Sequence, residues 1–215
     1  GWAARPITAR RALILAVADR IEAEAEDLAR LLTQEQGKPL PEAQAEILYT
    51  CAFIRHLAGY DLPVKVIEDN DNRLVRQFRK PLGVVAAIIP WNFPVLIVAF
   101  KLPLALLAGN TMVVKPAPTT PLTTLRLGEI MADVLPAGVV NIITDQNDLG
   151  AMLTTHPDVA KISFTGSTAT GQKIMASAAS TIKRLTLELG GNDAAIVLPG
   201  ADPAKVAPGL FAGAF

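Results

Sequence analysis

The stretch Leu82-Gly83-Val84-Val85-Ala86-Ala87-Ile88-Ile89-Pro90-Trp91-Asn92-Phe93-Pro94-Val95-Leu96-Ile97-Val98-Ala99-Phe100 runs for 19 residues without a charge. That length raises the question of a membrane-spanning helix. Pro90 and Pro94 bracket Trp91-Asn92-Phe93 at its midpoint, and Lys101 and Pro103 interrupt the apolar residues that follow. Two prolines so close together break a helix where lipid offers no substitute hydrogen-bond partners. The stretch reads instead as a buried strand over 83–89, a turn over 90–93, and a helix from 94 to about 108 that stops at Gly109-Asn110.

Downstream the pattern alternates. Strands are expected at 111–115, 139–143, 161–164, 185–189 and 194–198, with helices at 121–135, at 148–155 and opening at Gly166-Ser167-Thr168. Short, nearly all-apolar strands separated by helices mean a parallel sheet covered on both faces. The fold class is α/β, a Rossmann-like open parallel sheet, and in such sheets ligands sit at the carboxyl ends of the strands. Upstream, 8–36 reads as one long amphipathic helix with Leu13, Val17, Ile21, Leu28, Leu31 and Leu32 on a stripe, closed by Gly37-Lys38-Pro39. A second helix runs from about 41 to 59. Residues 62–82 read as a hairpin turning at Asp69-Asn70-Asp71-Asn72, and a hairpin that leaves the main body needs a partner for its edges.

Composition narrows the function classes. The chain has 215 residues, 51% hydrophobic, and its 20 basic and 20 acidic side chains cancel. A balanced charge provides no field to gather phosphate backbones or anionic lipid, so neither nucleic acid nor a membrane is expected as partner. One cysteine, Cys51, allows no internal disulfide, which makes the cytoplasm the default compartment. The beginning, Gly1-Trp2-Ala3-Ala4-Arg5-Pro6, has neither an initiator Met nor a signal-peptide layout, and the other end stops in Leu210-Phe211-Ala212-Gly213-Ala214-Phe215. The sequence reads as a piece of a longer protein.

The strand ends carry the most information. They are Pro90-Trp91-Asn92-Phe93-Pro94, then Lys115-Pro116-Ala117-Pro118-Thr119-Thr120-Pro121, then Phe164-Thr165-Gly166-Ser167-Thr168, then Leu187-Glu188-Leu189-Gly190-Gly191. In that order, with Glu35-Gln36-Gly37-Lys38-Pro39 far upstream, they closely resemble the aldehyde dehydrogenase superfamily over essentially the whole chain. The resemblance implies a helical part of the cofactor domain at 1–61, an oligomerisation hairpin at 62–82, a Rossmann-like NAD(P)-binding domain at 83–189 and the start of a catalytic domain at 190–215. It further implies NAD or NADP as cofactor, an aldehyde as substrate, and a homodimer or homotetramer.

Aldehyde oxidation needs a nucleophile, an oxyanion donor, a hydride acceptor and a base that activates water. Asn92 is a neutral amide on a Pro-stiffened turn. Locally it reads either as a helix cap or as an N–H donor, and the resemblance makes it the oxyanion donor. Glu188 closes an apolar strand, where partial burial is expected to raise its pKa toward a useful base; the alternative on local sequence is an ordinary carboxylate paired with Lys183 or Arg184. The resemblance makes it the general base, although Asn192 stands where many relatives carry Lys. The nucleophile is missing, since in the family it is a Cys lying shortly beyond 204–215, and Cys51 reads as a buried inert thiol in an amphipathic helix. These residues alone are therefore expected to be inactive.

Gly166-Ser167 stands between a strand and a helix start, where backbone N–H groups and the hydroxyl suit a pyrophosphate. Lys115 reads as a solvated strand-end lysine or as a donor to a ribose hydroxyl or phosphate. By resemblance Ile89 and Trp91 line the nicotinamide side, and Pro90, Asn92, Gly150, Leu189 and Gly190 complete the cofactor set. Pro118 replaces a Glu common in NAD-preferring relatives, and Asp145 and Asn147 replace loop glycines whose left-handed backbone Asp and Asn tolerate. That leaves NAD against NADP open. Phe93, Ile97 and Phe100 fall on one helix face and are expected to line either the core or a substrate tunnel. Lys101 is expected to point away from that face, so uncharged aldehydes are favoured over semialdehyde acids. His56 and His156 form no pair that suggests a metal. The alternatives are a non-catalytic nucleotide-binding or structural module, and another Rossmann oxidoreductase, which would want a Gly-x-Gly-x-x-Gly after the first strand.

Overall fold

A computed structural model describes residues 1–192 and 194–214, the side chain of Ala214 excepted. Three helices come first, α1 (Ile7–Ala23), α2 (Ala25–Gln36) and α3 (Leu40–Ala58), then a two-stranded antiparallel hairpin of β1 (Lys65–Asn70) and β2 (Arg73–Gln77). The remainder alternates as β3 (Val84–Ile88), α4 (Leu96–Leu107), β4 (Thr111–Lys115), α5 (Leu122–Val134), β5 (Val140–Ile142), α6 (Leu149–Thr155), β6 (Val159–Thr165), α7 (Thr168–Ala178) and β7 (Arg184–Glu188), with α8 (Pro203–Ala214) last. The five later strands form one parallel sheet in the order β5-β4-β3-β6-β7.

Alternation along β3 explains why two helical layers are needed. Val85 and Ala87 face a large core with Ile14, Val17, Ile47, Leu102, Leu106, Leu127 and Ile130 from α1, α3, α4 and α5. Ala86, between them, faces the opposite side, where Ile162 and Phe164 pack with Leu153 of α6 and Ile174 of α7. Successive strand residues point to opposite faces, so a strand apolar throughout must be covered twice. The uncharged stretch from 82 to 100 is thus a central strand, a turn and a buried helix. Among the described residues no helix is long and apolar enough to cross a membrane.

Two sequence expectations are corrected. The helix expected over 8–36 is two helices, broken at Glu24 (φ −109°, ψ 16°). The local residues Ala23-Glu24-Ala25-Glu26 are good helix formers, so no local signal marks the break. The Glu24 carboxylate accepts from Nε and Nη2 of Arg126 on α5, at 3.0 and 2.6 Å, a tertiary tie that propensity does not contain. The strand expected at 194–198 does not form. Ile196 and Leu198 are 85% and 71% exposed, and no described strand runs alongside to complete a ladder.

The hairpin stands with Val66, Ile67, Leu74 and Val75 exposed. Gly37, with φ +94°, stops α2 in the left-handed conformation that glycine adopts without strain.

Candidate active site

From β3 the chain winds outward through β4 to β5, then returns to the other side of β3 as β6 and β7. That reversal makes the gap between β3 and β6 the switch point of the sheet, where helices diverge and leave a crevice. A cavity of about 730 Å³ opens there, lined by Ile89, Pro90, Trp91, Lys115, Gly150, Gly166 and Ser167, together with Pro118, Asn147, Thr170 and Lys173. Of the ten residues expected for the cofactor, seven share this wall. Leu189 lines instead a smaller cavity of about 400 Å³, with Ile97, Phe100, Lys101, Ser163, Thr165, Thr186 and Glu188. Asn92 and Gly190 line neither cavity. A Cβ on Gly190 meets nothing within 4 Å.

The crevice fits a dinucleotide in size and in donors. Ligand sites run from about 300 to 1,000 Å³. A Cβ on Gly166 would stand 2.5 Å from Cζ of Phe164, so a larger residue there must displace that ring. The Ser167 hydroxyl accepts from the Thr170 N–H at 3.2 Å and caps α7, so it is engaged within the helix. The first-turn backbone N–H groups that a helix leaves unpaired are what remains for a pyrophosphate.

Asn92 is seated from the helical layer. Glu46 of α3 is fully shielded; its Oε1 accepts from the N–H groups of Val95 and Leu96 at 3.0 and 3.1 Å, and its Oε2 lies 2.5 Å from Nζ of Lys38. Lys38 Nζ also donates to the Asn92 carbonyl at 2.9 Å and sits 4.0 Å from the Phe93 ring centroid. Sequence reasoning missed this role of Lys38 and Glu46. The same upstream motif ties down α5, where the Glu35 carboxylate accepts from the N–H groups of Leu122 and Thr123 at 2.7 and 2.9 Å. Phe93 therefore packs under Lys38, apart from Ile97 and Phe100, and the three do not share one lining.

Lys115 closes β4 with its ammonium 2.6 Å from Oδ1 of Asp145, the two side chains 5% and 0% exposed. Asn147 takes the left-handed backbone expected of it (φ +75°) and Asp145 does not. Asp145 instead accepts from the Leu149 N–H at 2.9 Å. Desolvation alone would raise its carboxyl; the bonds from Lys115, Leu149 and Asn147 outweigh that and hold it below the usual carboxylate range.

Glu188 ends the edge strand β7 and is exposed, so the burial expected for it is absent. Lys183 is not its partner, since the Lys183 ammonium donates to the carbonyls of His156 and Val159 at 2.5 and 2.8 Å. Lys101, expected to point away, lines the smaller cavity beside Ile97, Phe100 and Glu188, with Nζ 3.1 Å from Oγ of Ser163. Burial pulls its ammonium down to about 8, the Glu188 carboxylate opposing the shift and Lys161 adding to it. The expectation of uncharged substrates rested on there being no cation at this face, and so it loses its basis. Cys51 is 1% exposed on α3, and burial pushes its thiol up to about 11. Among the described residues no group of three His, Cys, Asp or Glu stands close enough to hold a metal.

The model of the family described as aldehyde dehydrogenase matches residues 1–215. Phenylacetaldehyde dehydrogenase of Pseudomonas fluorescens is 42% identical, over 100% of this chain and 45% of its own. Among solved structures, PnpE in complex with nicotinamide adenine dinucleotide is 43% identical with a TM-score of 0.86, covering 88% of this chain and 40% of its own. An E. coli NADP dependent enzyme is 41% identical with a TM-score of 0.85, covering 89% and 41%. The chain spans less than half the length of the curated relatives it matches. A family match over the whole chain, with strand-end residues gathered at the sheet's switch point, identifies it as a member of the aldehyde dehydrogenase family.

Proposed function

We propose that the full-length protein containing these residues oxidises an aldehyde to a carboxylic acid, water supplying the second oxygen and NAD or NADP taking up the hydride. The observation that carries the reading is the single crevice in which Ile89, Pro90, Trp91, Lys115, Gly150, Gly166 and Ser167 meet. When bound, the nicotinamide supplies the hydride acceptor. The α7 backbone N–H groups would hold its pyrophosphate, Lys115 would donate to a ribose hydroxyl, and Ile89 and Trp91 would line the nicotinamide side. A cysteine outside these residues attacks the aldehyde carbon, giving a thiohemiacetal and, after hydride loss, a thioester. The Asn92 side-chain N–H donates to the oxyanion without giving up a proton. Glu188 takes a proton from water, whose oxygen then adds to the thioester and releases the acid and the thiolate. Cys51, buried with a raised pKa, is no substitute nucleophile, so residues 1–215 by themselves are inactive.

The hairpin 62–82, exposed along both strands, is the arm by which subunits associate as a homodimer or homotetramer. Residues 1–61 and 83–189 together form the cofactor-binding domain, and 190–215 begin the catalytic one. A single cysteine fits a reducing, cytoplasmic setting. Stopped-flow reduction of NAD(P) by the full-length protein tests the catalytic reading: a burst of reduced cofactor followed by slower turnover is expected, and no aldehyde-dependent reduction overturns it. Sedimentation showing only monomer at micromolar concentration overturns the arm.

A further inference from the structure

The large cavity carries two cations on its wall, Lys115 at the end of β4 and Lys173 on α7. Their surroundings differ. Lys173 lines the side formed by Thr170 and Ser177, whereas Lys115 lies with Pro118, Asn147 and Gly150 and is already matched by a carboxylate. The Lys115 ammonium has three N–H bonds. Its Nζ pairs as an ion with Asp145 Oδ1 at 2.6 Å and donates to the Pro116 carbonyl at 3.2 Å. At least one N–H remains for a ligand. Asp145 is itself fixed, because its second oxygen accepts from the Leu149 N–H at the start of α6. Both side chains are shielded from solvent, where a charge pair is costly to separate and weakly screened.

We infer that Asp145 is a selectivity-determining residue: by holding Lys115 in a buried ion pair it leaves an N–H for a ribose hydroxyl and no net charge for a 2′-phosphate, so the cavity takes NAD in preference to NADP. The inference rests on the reading of this cavity as the dinucleotide site. A hydroxyl accepts one hydrogen bond from the paired ammonium without disturbing Asp145. A phosphate dianion at the same place meets a carboxylate within one lysine head of it, and discrimination arises from that repulsion. Pro118, which carries no charge, leaves Asp145 as the acidic group that acts there.

The test is direct binding of NAD and NADP, and of ADP-ribose and its 2′-phosphate, to the full-length protein by calorimetry, so that turnover plays no part. The unphosphorylated ligand is expected to bind about tenfold or more tightly. Asp145→Asn keeps an oxygen for the Leu149 N–H and removes the charge; it is expected to erase that preference, shifting the affinity ratio by about tenfold. Lys115→Gln leaves the carboxylate unmatched and is expected to move the ratio the other way while weakening both ligands. A purely structural role would move both ligands together in either variant. A ratio within about twofold of the starting one in Asp145→Asn, with the circular-dichroism melt retained, overturns the inference, as does a starting preference for NADP. Binding of neither dinucleotide overturns the reading of the cavity along with it.

Discussion

Asn92 and Glu188 stand at the same carboxyl edge of one sheet, yet they are held in opposite ways. Asn92 follows β3, the central strand, and its turn is gripped from beneath by a shielded Lys38–Glu46 pair that bonds to the main chain at Asn92, Val95 and Leu96. Glu188 ends β7, the edge strand, exposed, with Lys101 its electrostatic neighbour across a small cavity. A central strand has cores on both faces and so inherits fixed positions from its neighbours. An edge strand keeps one side open to whatever packs there.

Breaking the grip on Asn92 has the largest expected effect. Glu46→Ala removes the acceptor for two N–H groups and strands the Lys38 ammonium, which costs about 3–5 kcal/mol of stability. Glu188→Gln, on an exposed residue, is expected to stay within about 0.5 kcal/mol of the parent. Urea unfolding of both variants measures the contrast; equal midpoints would mean that the pair grips nothing.

Catalysis separates the two ends by step. Asn92→Ala is expected to slow the burst of reduced cofactor by about 10² to 10³, the effect of losing one oxyanion donor. Glu188→Gln is expected to keep the burst and slow the steady state. If Glu188→Gln leaves both phases unchanged in stopped flow, Glu188 is not the base.

This asymmetry was half legible in the sequence. Apolar runs such as Val84–Ile88 and Thr111–Lys115 announce parallel strands, and the residues after them fall at the crevice because sheet topology puts them there. The side-chain ties were not legible. Lys38 reaches Glu46 and Asn92, Lys115 reaches Asp145, and Glu24 reaches Arg126 across separations that no local period encodes. Lys101 was misplaced for a related reason: a step of about 100° along a helix says where a side chain leaves the backbone, and its long stem then bends into the cavity beside Ser163. The strand expected at 194–198 failed because apolar content is only half of a strand, the other half being a neighbour to pair with.

Between the two ends lies the α7 start, and here a smaller effect is expected. Ser167→Ala deletes the hydroxyl that accepts from the Thr170 N–H and should cost about 1 kcal/mol. Because that hydroxyl is engaged within the helix, NAD(P) affinity is expected to change little. A large loss of affinity with an unchanged melting temperature would show that the hydroxyl serves the ligand and not the cap.

The last effect concerns Lys101, and it probes the open end. Burial pulls this ammonium down to about 8 from an ordinary value of 10.5. Between those values the unfolded chain binds a proton that the folded one does not, so stability rises with pH there. The penalty from Lys101 is therefore fully present below about pH 8 and relieved as the pH climbs toward 10.5. Lys101→Met keeps the length of the stem and removes the charge. Its advantage in melting temperature over the parent is expected to shrink steadily from about pH 8 to about pH 10, and a constant difference would mean that the ammonium is hydrated in the folded protein. Glu188→Gln gives the sharper check. The Glu188 carboxylate supports the Lys101 charge, so its loss should move the Lys101 titration, followed by carbon-13 NMR of Cε, below about 8. If the titration stays in place, the two side chains do not sense each other across the cavity, and the carboxylate at the edge of the sheet stands as isolated as its exposure implies.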